Sequence, residues 1–174
     1  MRAAKRPRRF VLVDGYNIIH AWGYLSAKQA FSLEAARTKL IGVLQNYQGF
    51  TKYDVILVFD AHLVKGGVGE ITVENGVTVV YTKEAETADS YIERVSRGLC
   101  REYSVTVATS DNLEQIIILG SGAARLSAND FLLEVQETER AIAKRISAIR
   151  PIKNNQLIDN LDPKTAKILE DMRM

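Results

Sequence analysis

The 174-residue sequence predicts an α/β fold with a central, mainly parallel sheet flanked by helices, and two observations carry that prediction. Short runs of apolar and β-branched residues alternate with stretches of helical periodicity, the order of parallel βαβ units. The runs are also nearly continuous in apolar character, as strands covered on both faces must be.

Four segments read as strands: Phe10 to Val13, Asp54 to Phe59, Val77 to Tyr81 and Val105 to Thr109. After the first, Ser32 can cap a helix whose Leu33, Ala36, Leu40, Leu44 and Tyr47 return at three- and four-residue spacing on one face. After the third, Thr87 can cap another, with Ala88, Ile92, Val95, Leu99 and Tyr103 inward and Arg94, Arg97 and Arg101 on other faces. A helix carrying Ile116 and Ile117 is expected after Asp111, with Gly120 as its stop. Ser127 and Asp130 form the pattern of a capping box opening the longest helix, whose stripe is Phe131, Val135, Ile142, Ile146 and Ile149. Pro151 ends that helix. Gly66, Gly67 and Gly69 mark a flexible loop after the second strand. The expected organisation is a basic N-terminal tail over residues 1–9, one α/β domain over 10–150, and a more polar extension over 151–174, a linker with a short helix from Pro163.

With 47% hydrophobic and 25% charged residues, the composition suits a packed domain rather than a disordered chain. The single cysteine, Cys100, excludes an internal disulfide and a CxxC zinc or redox site, and favours a reducing compartment. The longest apolar runs, Val55 to Phe59 and Ile116 to Leu119, fall far short of the ~20 residues that span a bilayer, so no membrane partner is expected. The net charge is only +2, but it is unevenly placed. Arg2, Lys5, Arg6, Arg8 and Arg9 crowd the N-terminus, and Arg140, Lys144, Arg145, Arg150 and Lys153 form a second cluster. Such clusters either gather phosphates by counterion release or simply stay solvated. No GxGxxG follows the first strand and no Walker A sequence is present, which disfavours a nucleotide cofactor.

Ligands of open parallel sheets bind beyond the carboxyl ends of the strands, and acids stand there in this sequence. Asp14 ends the first strand, Asp60 the second, Glu84, Glu86 and Asp89 follow the third, and Asp111 follows the fourth. One acid after a strand is usually a helix cap, but four in register form a pattern. Two carboxylates about 4 Å apart repel by roughly 4 kcal/mol at an effective dielectric near 20, so such a cluster takes up protons or a cation. With only His20, His62 and one cysteine as softer ligands, oxygen donors favour Mg²⁺ or Mn²⁺ over zinc. These ions support phosphodiester hydrolysis. A phosphoacceptor aspartate is a minor alternative, because no second acid stands two residues after Asp14 and no lysine adjoins Asp111.

Four motifs then carry a family resemblance: Val13-Asp14-Gly15-Tyr16-Asn17-Ile18-Ile19, Val58-Phe59-Asp60-Ala61-His62, Glu86-Thr87-Ala88-Asp89 and Ala108-Thr109-Ser110-Asp111. Their order and spacing over Phe10 to Arg150 resemble the NYN domain, specifically its YacP-like branch. The resemblance implies a PIN-like three-layer fold, an acidic metal-binding pocket with Mg²⁺ or Mn²⁺, and an endoribonuclease that associates with ribosomes and cuts mRNA during translation. Carried over by position, it implies that Asp14, Asp89 and Asp111 are the catalytic and metal-binding acids. Asp60 is a fourth ligand, a support through water, or a turn cap. Asn17 orients an acid, contacts phosphate, or caps a helix. Thr109 and Ser110 hold Asp111 or, for Ser110, cap a helix. Of Glu84 and Glu86, Glu86 is the better supporting residue.

Lys65, Lys83 and Arg125 stand near strand ends and could contact the RNA backbone, or be ordinary surface charges. His62 reads as a loop histidine. Trp22 and Tyr24 fit core or loop packing better than base stacking. The competing function is a non-catalytic RNA- or ribosome-binding protein that retains the nuclease fold. Bacterial cytoplasm is the expected location, although a processed chloroplast form would look the same. Nothing in the sequence fixes an oligomeric state.

Overall fold

In the computed structural model, residues 8–25, 32–60, 69–111, 120 and 122–149 are described. They run through β1 (Arg9–Asp14), α1 (Gly15–Ala21), a 3-10 turn at Gly23–Leu25, α2 (Leu33–Thr51), β2 (Asp54–Phe59), β3 (Glu70–Glu74), β4 (Val77–Tyr81), α3 (Ala88–Leu99), β5 (Ser104–Ala108), β6 (Ala124–Leu126) and α4 (Ala128–Ala148). The chain divides into two units, Met1–Arg140 and Ala141–Met174, and of the second only residues 141–149, the end of α4, are described. The tail before Arg8, the segment 112–119 where a helix is expected, and the extension 151–174 lie outside the described residues.

All six strands join one sheet in the order β3-β4-β2-β1-β5-β6, parallel except for the β3–β4 pair. From β1 the chain builds outward through β2 and β4, then α3 carries it back across β1 to β5. That reversal makes the β1–β5 boundary a topological switch point, where the carboxyl ends of strands open a crevice.

Alternation along the strands divides the core into two layers. Val11, Val13, Leu57, Phe59 and Val79 face α1, α2 and the start of α4, where Ile18, Leu40, Leu44, Tyr47 and Phe131 are buried. Leu12, Val58, Val80, Val105 and Val107 face α3 through Ala88 and Ile92. Helices thus cover both faces, which explains the continuous apolar character of these strands. Among the described residues no helix is long and apolar enough to cross a membrane.

The caps at Ser32 and Thr87 form as expected, accepting from the amides of Ala35 at 3.1 Å and Ser90 at 3.2 Å. Ser127 and Asp130 likewise exchange hydrogen bonds at the start of α4. Three elements differ from expectation. The α3 helix stops at Leu99, and Tyr103 instead packs edge-on against Phe10, with ring centroids 5.2 Å apart. The α4 stripe is buried at Phe131 and Val135, whereas Ile146 and Ile149 are exposed. Arg8 and Arg9, assigned to a basic tail, are tied down: Arg8 grips both oxygens of Asp54 at 3.0 Å, and Arg9, already in β1, donates to the Tyr53 hydroxyl at 3.1 Å.

Two aromatic assemblies fix the chain on either side of β1. Trp22 is fully buried against Phe131, and its indole N–H donates to the Ala128 carbonyl at 2.8 Å. Packing therefore accounts for this tryptophan. Tyr24 stacks on it at 6.0 Å. On the other side, Phe59 lies between Tyr16 and Tyr81, and a Cβ added at Gly15 would come within 2.3 Å of the Phe59 ring. That ring is fully buried and cannot yield. Gly15→Ala is therefore expected to lower stability by about 1–3 kcal/mol, the usual cost of overpacking. Urea unfolding of the two proteins checks this, and an unchanged midpoint would show that the Phe59 ring has room to move.

Candidate active site

The register of the sheet sets the levels of the acids. Asp14 pairs with Val58 and Val13 with Ala108, so Asp60 and Asp111 each stand two residues beyond the level of Asp14, in the segments that follow the strands flanking β1. Asp89 lies in the first turn of α3, on the segment that leaves neighbouring β4. Four carboxylates from separate parts of the sequence thus share the carboxyl end of the sheet.

Asp14 ends β1 and caps α1, accepting the Asn17 amide N–H at 3.1 Å. It is only 9% exposed. Burial raises its carboxyl to about 6, with the charges of Asp89 and Asp60 adding to the rise and the amides of Asn17 and Tyr16 opposing it. Asp89 stands at the surface, yet partial desolvation, then the charges of Asp111 and Asp60, raise it too. Asp14 therefore lies within electrostatic reach of Asp89 and Asp60, and Asp89 of Asp111 and Asp60. No lysine or arginine among the described residues forms an ion pair with Asp14 or Asp89.

Asn17 connects the two sides of the switch point. Its side-chain oxygen accepts the Ser110 amide N–H at 2.7 Å, across 93 positions of sequence. Thr109 Oγ1 accepts the Asp111 amide at 3.1 Å, and the Thr109 amide donates to the Leu126 carbonyl at 3.1 Å. Ser110 Oγ accepts the Ala128 amide at 3.3 Å, so this serine meets the start of α4 as well as Asn17. The loop bearing Asp111 is consequently tied to α1, to β6 and to α4. Asn17 orients this loop rather than capping α1, a role that Asp14 performs.

Other expected residues fall elsewhere. Glu86 is engaged by Arg94 at 2.6 Å, and its charge does not figure among those raising Asp14 or Asp89. Lys83 is exposed and lines a hollow of about 230 Å³ with Glu86, Tyr91 and Arg94. Arg125 is exposed on edge strand β6. Lys65 and His62 lie outside the described residues. Arg94, Arg97 and Arg101, expected on outer faces, follow one another at spacings of three and four, a like-charge repeat visible in the sequence.

The donor set suits a hard divalent cation: carboxylate oxygens, one of them buried without a cationic partner. Among the described residues no three acids or histidines stand close enough to hold one ion together.

This is the fold of an NYN, nuclease-like domain. The model of the YacP-like NYN domain matches residues 11–174, and the chain belongs to that family. The uncharacterized protein YacP of Bacillus subtilis strain 168 is 47% identical over 140 residues, 80% of this chain and 82% of the relative. Two crystal structures of Rae1 (YacP) from Bacillus subtilis superpose with a TM-score of 0.71. One is 40% identical, covering 94% of this chain and 91% of that one; the other, a mutant form, is 37% identical and covers 94% and 99%.

Because the folded Asp14 carboxyl lies above its ordinary value of 3.8, the folded state binds the extra proton between about 4 and 6. Its contribution is therefore most favourable below about 4 and is lost as pH rises through about 6, a change on the order of 3 kcal/mol. Asp14→Asn keeps a competent helix cap but removes the buried charge. The metal-free variant is expected to be more stable than wild type at neutral pH, with the difference vanishing near pH 4. Thermal melts across that range in chelator check it; a variant less stable at neutral pH would contradict the electrostatic account.

Proposed function

We propose that this protein is a divalent-metal-dependent endoribonuclease that hydrolyses RNA phosphodiester bonds, with Asp14, Asp89 and Asp111 as its catalytic acids and Asp60 as a fourth ligand. The observation that carries the reading is the gathering of these acids at the switch point, with Asp14 raised by burial and by its neighbours. Family membership in the YacP-like NYN domain supports the same chemistry. In that role Mg²⁺ or Mn²⁺ supplies an activated water and neutralises charge on the leaving oxygen. Asp14 offers its carboxylate from a fixed position at the end of β1, because the Asn17 amide holds it. Thr109 orients the backbone of Asp111, and Asn17 keeps the loop after β5 against α1. Lys83 and Arg125 offer positive charge to the RNA backbone near the strand ends.

The substrate proposed is mRNA on the translating ribosome. No base-reading motif occurs in the sequence, so selection of the cut would come from the partner that presents the strand. Binding without turnover is the second reading, favoured by the lack of three converging ligands among the described residues.

Mapping of RNA ends on one reporter mRNA, translated or untranslated, with Mg²⁺ or Mn²⁺, separates these readings. Wild type is expected to create new ends only during translation, and Asp89→Asn to reduce them by about 100-fold or more. Ribosome binding by both proteins without any cleavage would leave only the binding role.

Asn17→Ala tests the link across the switch point. Loss of the Ser110 contact is expected to weaken apparent Mn²⁺ affinity by about 10- to 100-fold, as for residues that orient metal ligands. A Mn²⁺ titration of cleavage checks this, and unchanged affinity with lower stability would make Asn17 purely structural.

A further inference from the structure

On α3, Ser90, Arg94 and Arg97 recur at spacings of four and three, which places them in one row along the helix, and Arg101 follows in the turn just beyond its end. With Glu93 and Gly98 they line an open hollow of about 480 Å³. Gly98 leaves its floor without a side chain, and a Cβ there would meet nothing within 4 Å. The row begins beside Asp89 in the first turn of the same helix. From Arg94 to Arg97 it covers about 4.5 Å along the axis.

The arginines are pre-ordered by weak partners. Arg94 is held by Glu86 at 2.6 Å and lies over the Tyr91 ring at 4.9 Å from its centre. Arg97 is held by Glu93 at 2.6 Å, four residues away on the helix. Arg101 has no ion-pair partner among the described residues. The guanidinium side chains of Arg94 and Arg97 are 61% and 65% exposed. Exposed pairs of this kind contribute little and exchange readily. Guanidinium groups also match phosphate geometry through paired N–H donors, so a phosphate can replace each carboxylate partner without loss of hydrogen bonds.

Arg94 lines a second hollow too, bounded by Ile71, Val80, Tyr81, Lys83 and Tyr91 at the edge of the sheet. The two hollows therefore adjoin at one side chain, and together they form a surface from the loop before Asp89 to the turn after α3. Its inner part is aromatic and apolar and its outer part is cationic. Single-stranded nucleic acids are held by this combination, bases against aromatic faces and phosphates against a basic track.

We infer that α3 and the turn after it form a binding track for single-stranded RNA, in which Arg94, Arg97 and Arg101 hold successive backbone phosphates of the strand on one side of the acid cluster. The assignment of the strand to a substrate rests on the hydrolase reading of that cluster; the binding itself does not. Charge complementarity and the shared helix with Asp89 favour RNA over an acidic protein segment.

The test is anisotropy of a labelled oligouridine of about twelve nucleotides with the full chain in chelator, over a salt series from about 50 to about 300 mM. Each phosphate contact on a single strand contributes about 0.7 to the slope of log affinity against log salt. Replacing all three arginines by glutamine is expected to flatten the slope by about 2 and weaken binding at low salt by more than tenfold. The triple lysine variant keeps the slope while losing part of the affinity, because it keeps charge without the paired donors. Should the triple glutamine variant fail to fold, Arg101→Gln and Gly98→Gln carry the test: the first flattens the slope by about 0.7, and the second weakens binding by filling the floor. A wild-type slope and affinity in the glutamine variants overturns the track, as does absence of RNA binding by wild type. Equal displacement of the RNA by polyglutamate assigns the surface to acidic protein instead and overturns the RNA assignment. Wild-type cleavage of the translated reporter mRNA with Mn²⁺ is read in parallel. Arginine-dependent binding without cleavage removes the hydrolase reading alone, whereas cleavage with arginine-independent binding removes the track alone.

Discussion

The rest of the site depends on the Asp14 carboxylate, which is buried at the end of a central strand and at the start of a helix at once. A buried acid is costly unless something favours its charge, and the Asn17 and Tyr16 amides at the head of α1 do so only in part. The deficit is local and fixed in place, because Asp14 cannot move without dismantling the turn from β1 to α1. A group that cannot retreat into solvent becomes a receptor for a proton or a cation. Its neighbours intensify the deficit rather than relieve it.

Much of the surrounding architecture keeps that turn rigid. Gly15 leaves room for the Phe59 ring immediately behind the acid. Trp22 anchors the far end of the same segment to the Ala128 carbonyl, and Ala128 returns a backbone N–H to Ser110 beside Asp111. The segment after β1 is thus held at both ends by residues from distant parts of the chain. Asn17, between them, joins it to the loop after β5. Rigidity of this kind lets a few hydrogen bonds of ordinary length define the positions of side chains that repel one another.

The sheet and its acids were legible because burial on both faces writes a continuous apolar run, and the acid that ends each run is conspicuous against it. The elements that escaped are those with weaker patterns. Strand β3 has Ile71 and Val73 on an exposed edge, where burial imposes no apolar alternation. Its one clear sign is the Asn75-Gly76 turn, whose two positive φ angles, 48° and 98°, are those of a tight hairpin. Strand β6 has three residues and α1 seven, too few for a period to emerge. Within the site, the acids at the strand ends could be read from sequence, but the partner of Asn17 could not: Ser110 is 93 residues away, and only the sheet brings them together. The pairing of Glu86 with Arg94 escaped for a related reason, since the loop before α3 sets the direction of that glutamate.

The Asn17 to Ser110 bond has a bearing on synthesis of the chain. Strand β1 is made before its partner β5 and the anchoring residue Ala128, which come roughly a hundred positions later. Long-range parallel pairing of this kind is reached late in folding, after the loops between partners have closed. A nascent or prematurely terminated chain shorter than Ala128 therefore contains the acids without the framework that orients them. The arrangement of these acids is consequently set only once the chain extends through Ala128.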